Sequence, residues 1–228
     1  MSTIAVGLRE NRAARFWDST NGKKIVMAIT GAILFLFVIG HLVGNLQVYE
    51  GPDTFNAYAR LLRVEPLLLW AVRLTLLAAV TLHIIASVQL ALRKSRARPV
   101  GYAKKESIGS SYASRTMYWS GPIILAFVIF HLLHLTFGVV QPQAFHEGDV
   151  YGNLVAGFQV PYISAWYIFS MILLGLHLRH GAWSMFQSIG FNHPRHTPIL
   201  KQAALLFALV ITLGYISIPV SVLAGWVK

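Results

Sequence analysis

The sequence predicts an all-α integral membrane protein with five transmembrane helices, the first four gathered into a bundle. Charged residues make up only 12% of the 228-residue chain and hydrophobic residues 56%, whereas about a quarter of a soluble domain is charged. The apolar residues are also collected into five runs of roughly 20 residues or more, each enough to cross a hydrocarbon core of about 30 Å as a helix. The alternating segments of about ten residues that a transmembrane barrel needs do not occur.

Taken in order, the spans are expected over about 25–46, 66–92, 117–140, 161–186 and 199–226, in one domain covering 1–228. The first apolar run is too long for a signal-peptide core and has no small-residue cleavage site after it, so the start of the chain does not read as a cleaved signal. Between the first two spans, residues 55–63 read as a short amphipathic helix lying on the membrane surface. Residues 141–160 read as a turn-rich loop. With no cysteine in the chain, it forms no disulfide and no cysteine-ligated iron–sulfur cluster.

Nineteen Lys and Arg stand against eight Asp and Glu. In a soluble protein this excess would suggest nucleic acid. Here the basic residues sit between apolar runs, where membrane topology accounts for them and no nucleic-acid partner is expected. Arg9, Arg12, Arg15, Lys23 and Lys24 precede the first span. Arg93, Lys94, Arg96, Arg98, Lys104, Lys105 and Arg115 separate the second from the third, and Arg195 and Lys201 separate the fourth from the fifth. On the opposite side, Arg60 and Arg63 are offset by Glu50, Asp53 and Glu65, and residues 141–160 carry no Lys or Arg. The positive-inside rule then places the N-terminus in the cytoplasm and the C-terminus outside a bacterial-type inner membrane.

The chemistry lies in the histidines. His41, His83, His131, His134 and His177 fall in the interior of the spans, and His180 nearer an edge. An ionisable residue inside a bilayer is costly and marks a functional candidate. A single one reads equally well as a neutral ring held by a backbone carbonyl; one on each of four consecutive spans does not. Depth groups them. His41 lies 41 − 24 = 17 residues beyond Lys24, and His131 lies 131 − 115 = 16 beyond Arg115, both about 25 Å from the inner edge. His83 lies 93 − 83 = 10 residues before Arg93, and His177 lies 186 − 177 = 9 before Phe186, both about 15 Å from that edge. Two pairs at two depths can each clamp one planar macrocycle inside a four-helix bundle. Haem iron with two axial imidazoles carries electrons and has no open position for oxygen.

His134 and His180 each follow another histidine by three residues, on a nearby face of the same helix, so spacing alone leaves them as competing ligands. A di-metal centre is disfavoured because the spans lack the carboxylates such bundles use, and HExxH does not occur. Arg115, Tyr118 and Arg179 are candidates to meet the propionates of the inner macrocycle; anchoring at the membrane edge explains the arginines equally well. Arg73 sits deeper in the second span and calls for a partner, either an outer propionate or a quinone-site group. Gly31, Gly40, Gly44, Gly175 and Gly181 permit close approach of a helix or a flat cofactor. His146, His193 and His196 lie in loops.

Several stretches carry a family resemblance: FVIGHLVGNLQ around His41, Phe55–Asn56, TLHIIASVQLAL around His83, SRTMYWSG then FVIFHLLHLTFG around His131, and LHLRHGAWS around His177. In order and spacing they resemble the single-chain, two-haem, five-helix cytochrome b anchor of succinate dehydrogenase and fumarate reductase, over nearly the whole chain. The resemblance implies axial ligands at His41, His83, His131 and His177, paired first with third and second with fourth. It implies two haem b groups, with menaquinone or another quinone as substrate near the outer haem, and Glu65 lies in that region. It further implies a flavoprotein carrying FAD and an iron–sulfur subunit docked on the cytoplasmic face, with the dicarboxylate site on a partner. Higher oligomers are compatible with it. The alternatives are a quinone-linked cytochrome b anchor of hydrogenase or nitrate reductase type, whose histidines are distributed differently, and a haem-free anchor.

Overall fold

A computed structural model describes residues 12–97, 112–141 and 144–228; Arg9, Arg98, Lys104 and Lys105 lie outside the described residues. The chain opens with α1 (Arg12–Asp18) and α2 (Thr20–Leu46). Ser19 separates them. Its backbone is extended and its Oγ accepts from Gly22 N at 2.8 Å, which satisfies one of the free donors at the start of α2. A 3-10 turn, Gln47–Glu50, ends α2, and Gly51 at φ +94° reverses the chain into α3 (Pro52–Leu61). Then follow α4 (Pro66–Arg96), α5 (Tyr112–His131) with a π-helical turn at Leu132–Thr136, α6 (Val150–Phe158), α7 (Pro161–Ser188) and α8 (Thr197–Leu223). Helices α3, α4 and α7 begin on proline, whose missing N–H costs nothing in the first turn.

Among the described residues, five helical stretches are long and apolar enough to cross a membrane: Thr20–Glu50, Pro66–Arg96, Tyr112–Thr136, Pro161–Ser188 and Thr197–Leu223. No strand occurs among the described residues. The chain is therefore an all-α, multi-pass membrane protein. The helices outrun the apolar runs at their basic ends. Arg93, Lys94 and Arg96 still belong to α4, in its last turn, where cations favour the exposed carbonyls.

Two connections differ from the sequence expectation. The segment 141–160 is not all turns: it contains α6, in which Tyr151, Leu154, Val155 and Phe158 are buried. Their i, i+3, i+4, i+7 spacing is that of one helical face, and Asp149 caps it by accepting from Gly152 N at 3.0 Å. The amphipathic helix α3 does not simply lie on a surface. Phe55 is buried against Tyr151, ring centres 6.4 Å apart. The Asn56 side chain donates to Asp149 Oδ1 at 3.0 Å and accepts from Tyr151 N at 3.0 Å. Helices α3 and α6 thus form a cap over one end of the assembly, called here the outer end. The inner end carries α1 and the turn between α7 and α8.

Helix α2 packs against α4 and α7, and α5 packs against α7. Helix α8 flanks α7 and α2. Phe207 stacks on Phe35 at 4.1 Å, Tyr215 Oη donates to Val38 O at 2.8 Å, and Gly175 on α7 admits Thr212 of α8 so closely that a methyl group at Gly175 would overlap Thr212 Oγ1. Among the described residues, α2 with α5 and α4 with α7 make no extended contact. The main buried cluster lies under the outer cap and includes Phe55, Phe127, Tyr151, Phe158, Tyr167 and Ile218. A second, around Leu42, Leu178, Ala208 and Ile211, joins α2, α7 and α8.

Candidate paired-histidine site

The histidines face one another across the two helix pairs that do not pack. His41 on α2 and His131 on α5 have ring centres 5.9 Å apart. His83 on α4 and His177 on α7 have ring centres 6.3 Å apart. The His83 ring lies level with Thr30 and Gly31 of α2, with His83 Cε1 3.5 Å from where a methyl group on Gly31 would stand. The two levels are therefore separated by about ten residues of α2, roughly 15 Å.

Three of the four rings are oriented by a hydroxyl at Nδ1. Thr30 Oγ1 lies 3.1 Å from His83 Nδ1 and donates its own proton to Val26 O at 2.7 Å, so it accepts from the imidazole. Ser120 Oγ lies 3.5 Å from His177 Nδ1, and Tyr167 Oη 3.3 Å from His131 Nδ1. His41 is held by stacking on Phe37, ring centres 5.1 Å apart, and sits beside Tyr215. An imidazole that donates from Nδ1 presents Nε2 as a ligand, the arrangement by which metal-binding histidines are commonly fixed.

The spacing suits one metal ion between two rings. With metal–nitrogen bonds of about 2 Å, imidazoles on opposite sides of an ion have ring centres roughly 6 Å apart. A pair alone leaves most coordination positions to be filled by something else, and a macrocycle supplies four. Two bis-imidazole haem sites therefore fit these side chains: His41 with His131 at the outer level, His83 with His177 at the inner.

The neighbouring histidines separate from the pairs. His134 is fully buried, with Nδ1 2.9 Å from Tyr167 Oη. Its Nε2 is pressed against Gly157 of α6, where any side chain would overlap it, so it cannot reach across to His41. His180 is half-buried, and the ring opposite His83 is that of His177. Among the other candidates, Arg73 is exposed on α4 with its guanidinium 5.2 Å from the Trp70 ring centre, so its contact lies on its own helix. Glu65 is exposed at the start of α4. Arg115 and Arg179 are exposed near the inner end, and Tyr118 is exposed with Lys94 Nζ 5.8 Å from its ring centre. Gly44 receives Tyr58 of α3, whereas nothing lies within 4 Å of the position a methyl group would take at Gly40 or Gly181.

The orienting hydroxyls were absent from the sequence reading, yet a signal for them exists. Each lies about three helical turns from the histidine of its own helix: 41 − 30 = 11 on α2, 131 − 120 = 11 on α5, and 177 − 167 = 10 on α7. Three turns are about 10.8 residues, which returns to the same face. Each of these helices thus offers a ligand at one level and an orienting hydroxyl at the other.

Fold and site together define a multi-pass helical membrane protein with two interior histidine pairs stacked along the membrane normal. No family model, curated protein or solved structure matches the chain.

Proposed function

We propose that the chain is the di-haem cytochrome b anchor of a succinate:quinone oxidoreductase, passing electrons between an iron–sulfur partner and a membrane quinone. One observation carries the haem part: two histidine pairs with ring centres 5.9 Å and 6.3 Å apart, at two levels, each drawn from helices that do not pack on one another. Haem b at each pair would supply a one-electron redox centre. His41 and His131 would hold the outer one, and His83 and His177 the inner. Thr30, Ser120 and Tyr167 keep the ligand rings turned inward.

The choice of complex II over a hydrogenase or nitrate reductase anchor rests on the resemblance and on one ligand from each of four consecutive spans. In this reading the membrane is the bacterial cytoplasmic one, the inner end faces the cytoplasm, and a flavoprotein and an iron–sulfur subunit dock there with FAD and the dicarboxylate site. Menaquinone or another quinone reacts near the outer haem, with Glu65 and Arg73 at the outer part of α4 as candidates to meet it. Arg115, Tyr118 and Arg179, at the inner ends of α5 and α7, are candidates for the inner propionates. Electron transfer from inner to outer level works with or against the membrane potential, about 2.3 kcal/mol per charge per 100 mV for a full crossing.

A pyridine haemochrome assay on the purified complex tests the reading. Two haem b per chain, together with a co-purifying flavoprotein and iron–sulfur subunit, are expected. A folded complex without haem b overturns it, and two haems with hydrogenase or nitrate reductase partners would overturn the assignment to complex II.

A further inference from the structure

We propose that Tyr167 and His134 are positioning residues for His131, fixing its ring from the outer cap and thereby setting the redox potential at the outer level; this rests on the haem reading above. Tyr167 is buried on α7 and its single hydroxyl serves two imidazoles, His131 Nδ1 at 3.3 Å and His134 Nδ1 at 2.9 Å. A hydroxyl has one proton to give. If His131 binds through Nε2, its Nδ1 carries a proton and donates to Tyr167. Tyr167 must then donate onward to His134 Nδ1, which leaves the His134 proton on Nε2.

That Nε2 is buried and has no hydrogen-bond partner among the described residues; neither has Gln141 Oε1. The two atoms, a donor and an acceptor, converge on Gly157, whose lack of a side chain admits both. A small turn of the Gln141 amide pairs them. Gln141 Nε2 already donates to Asn153 O at 3.0 Å, and the Asn153 side chain bridges the backbone of His146. One choice of proton at His131 therefore sets the donors as far as His134 Nε2. Histidine, tyrosine and glutamine follow one another in a line with no branch.

The sequence explains why these groups meet. His131 ends the α-helical part of α5, and the π-helical turn Leu132–Thr136 begins directly after it, closed by Phe137 N to Leu132 O at 2.9 Å. The wider turn shifts the register, so the His134 ring faces α6 and α7 while the His131 ring faces α2. π-turns of this kind recur at functional sites. The inner pair is built differently. Its orienting groups are Thr30 and Ser120, and Thr30 donates no further than Val26 O of its own helix.

An acceptor at Nδ1 makes the imidazole a stronger donor to iron and favours the oxidised state, so its removal raises the potential. The test is a potentiometric titration of both haems in the purified complex. In Tyr167→Phe, both haems are retained, the outer haem's reduced-to-oxidised ratio at fixed ambient potential rises roughly threefold to tenfold, and the inner haem is unmoved. His134→Leu gives a smaller shift in the same direction, and His134→Asn, which returns a carbonyl to the place of Nδ1, restores values near wild type. Two haems in the wild type with no outer shift in Tyr167→Phe overturn this inference alone. So do equal shifts in His134→Leu and His134→Asn, which would mean that only volume matters, and these decide the matter if Tyr167→Phe does not fold. Absence of haem from the wild-type complex overturns the functional reading and this inference with it.

Discussion

His41 and His131 place their ring centres 5.9 Å apart on two helices that otherwise make no extended contact. Helix α2 is braced chiefly on α4 and then on α7, and α5 on α7; both present their imidazoles to a shared interior space. The same relation holds for His83 and His177 one level below.

Removal of one ligand is expected to be level-specific. His41→Leu should lose only the outer haem, and His83→Leu only the inner, each halving haem b per chain in a haemochrome assay. His41→Leu should also block quinone chemistry. Loss of the inner haem in His41→Leu with the outer intact would overturn the pairing.

Thr30→Val keeps the shape of the side chain and removes the oxygen that accepts from His83 Nδ1. A donor stranded in the interior costs about 1–3 kcal/mol, so the thermal midpoint of the complex should fall. The inner haem's low-spin signal should shift with it, while the outer haem's stays in place.

Gly175→Ala should destabilise the seam between α7 and α8, because the new methyl group overlaps Thr212 Oγ1. Overpacking of this kind costs about 1–3 kcal/mol. The double variant Gly175→Ala/Thr212→Ala should recover most of the loss, measured by thermal unfolding in detergent. No recovery would mean that the backbones, not the threonine, limit the approach.

The outer cap should loosen in acid. Asp149, in the connection before α6, is held below the usual carboxylate range by the Gly152 N–H, and further by the Asn56 side chain and His146. Its folded pKa lies below its unfolded value, which is about 3.9. The folded form thus binds fewer protons, and the stabilisation is complete above that unfolded value and is lost as pH falls through the folded pKa. Protection of the α6 amides against hydrogen exchange, corrected for the intrinsic rate at each pH, should fall below about pH 4, and Asp149→Asn should flatten that response.

Topology is testable by fusion. The positive-inside rule predicts a cytoplasmic N-terminus and, with five spans, a C-terminus outside. Alkaline phosphatase joined after Lys228 should be active, and a fluorescent protein at the N-terminus should fold and emit.

The number and order of the spans were legible in the sequence, because a stretch of about 20 apolar residues has few other stable fates in a chain of this composition. The two histidine levels were legible too: rise per residue is fixed within a helix, so His41 and His131, or His83 and His177, could be ranked by depth from the basic residues that end their spans. Helix α6 was hidden because Gly152 and Gly157 interrupt a nine-residue segment, and only its burial beneath α3 makes it pay to be helical. The choice between His131 and His134 also lay beyond the sequence, since the two are neighbours on any regular helix. The π-helical turn after His131 separates them, sending one ring towards α2 and the other against Gly157. Depth along a helix is a local property that sequence alone determines; rotation about the helix axis is decided by what the other helices leave room for.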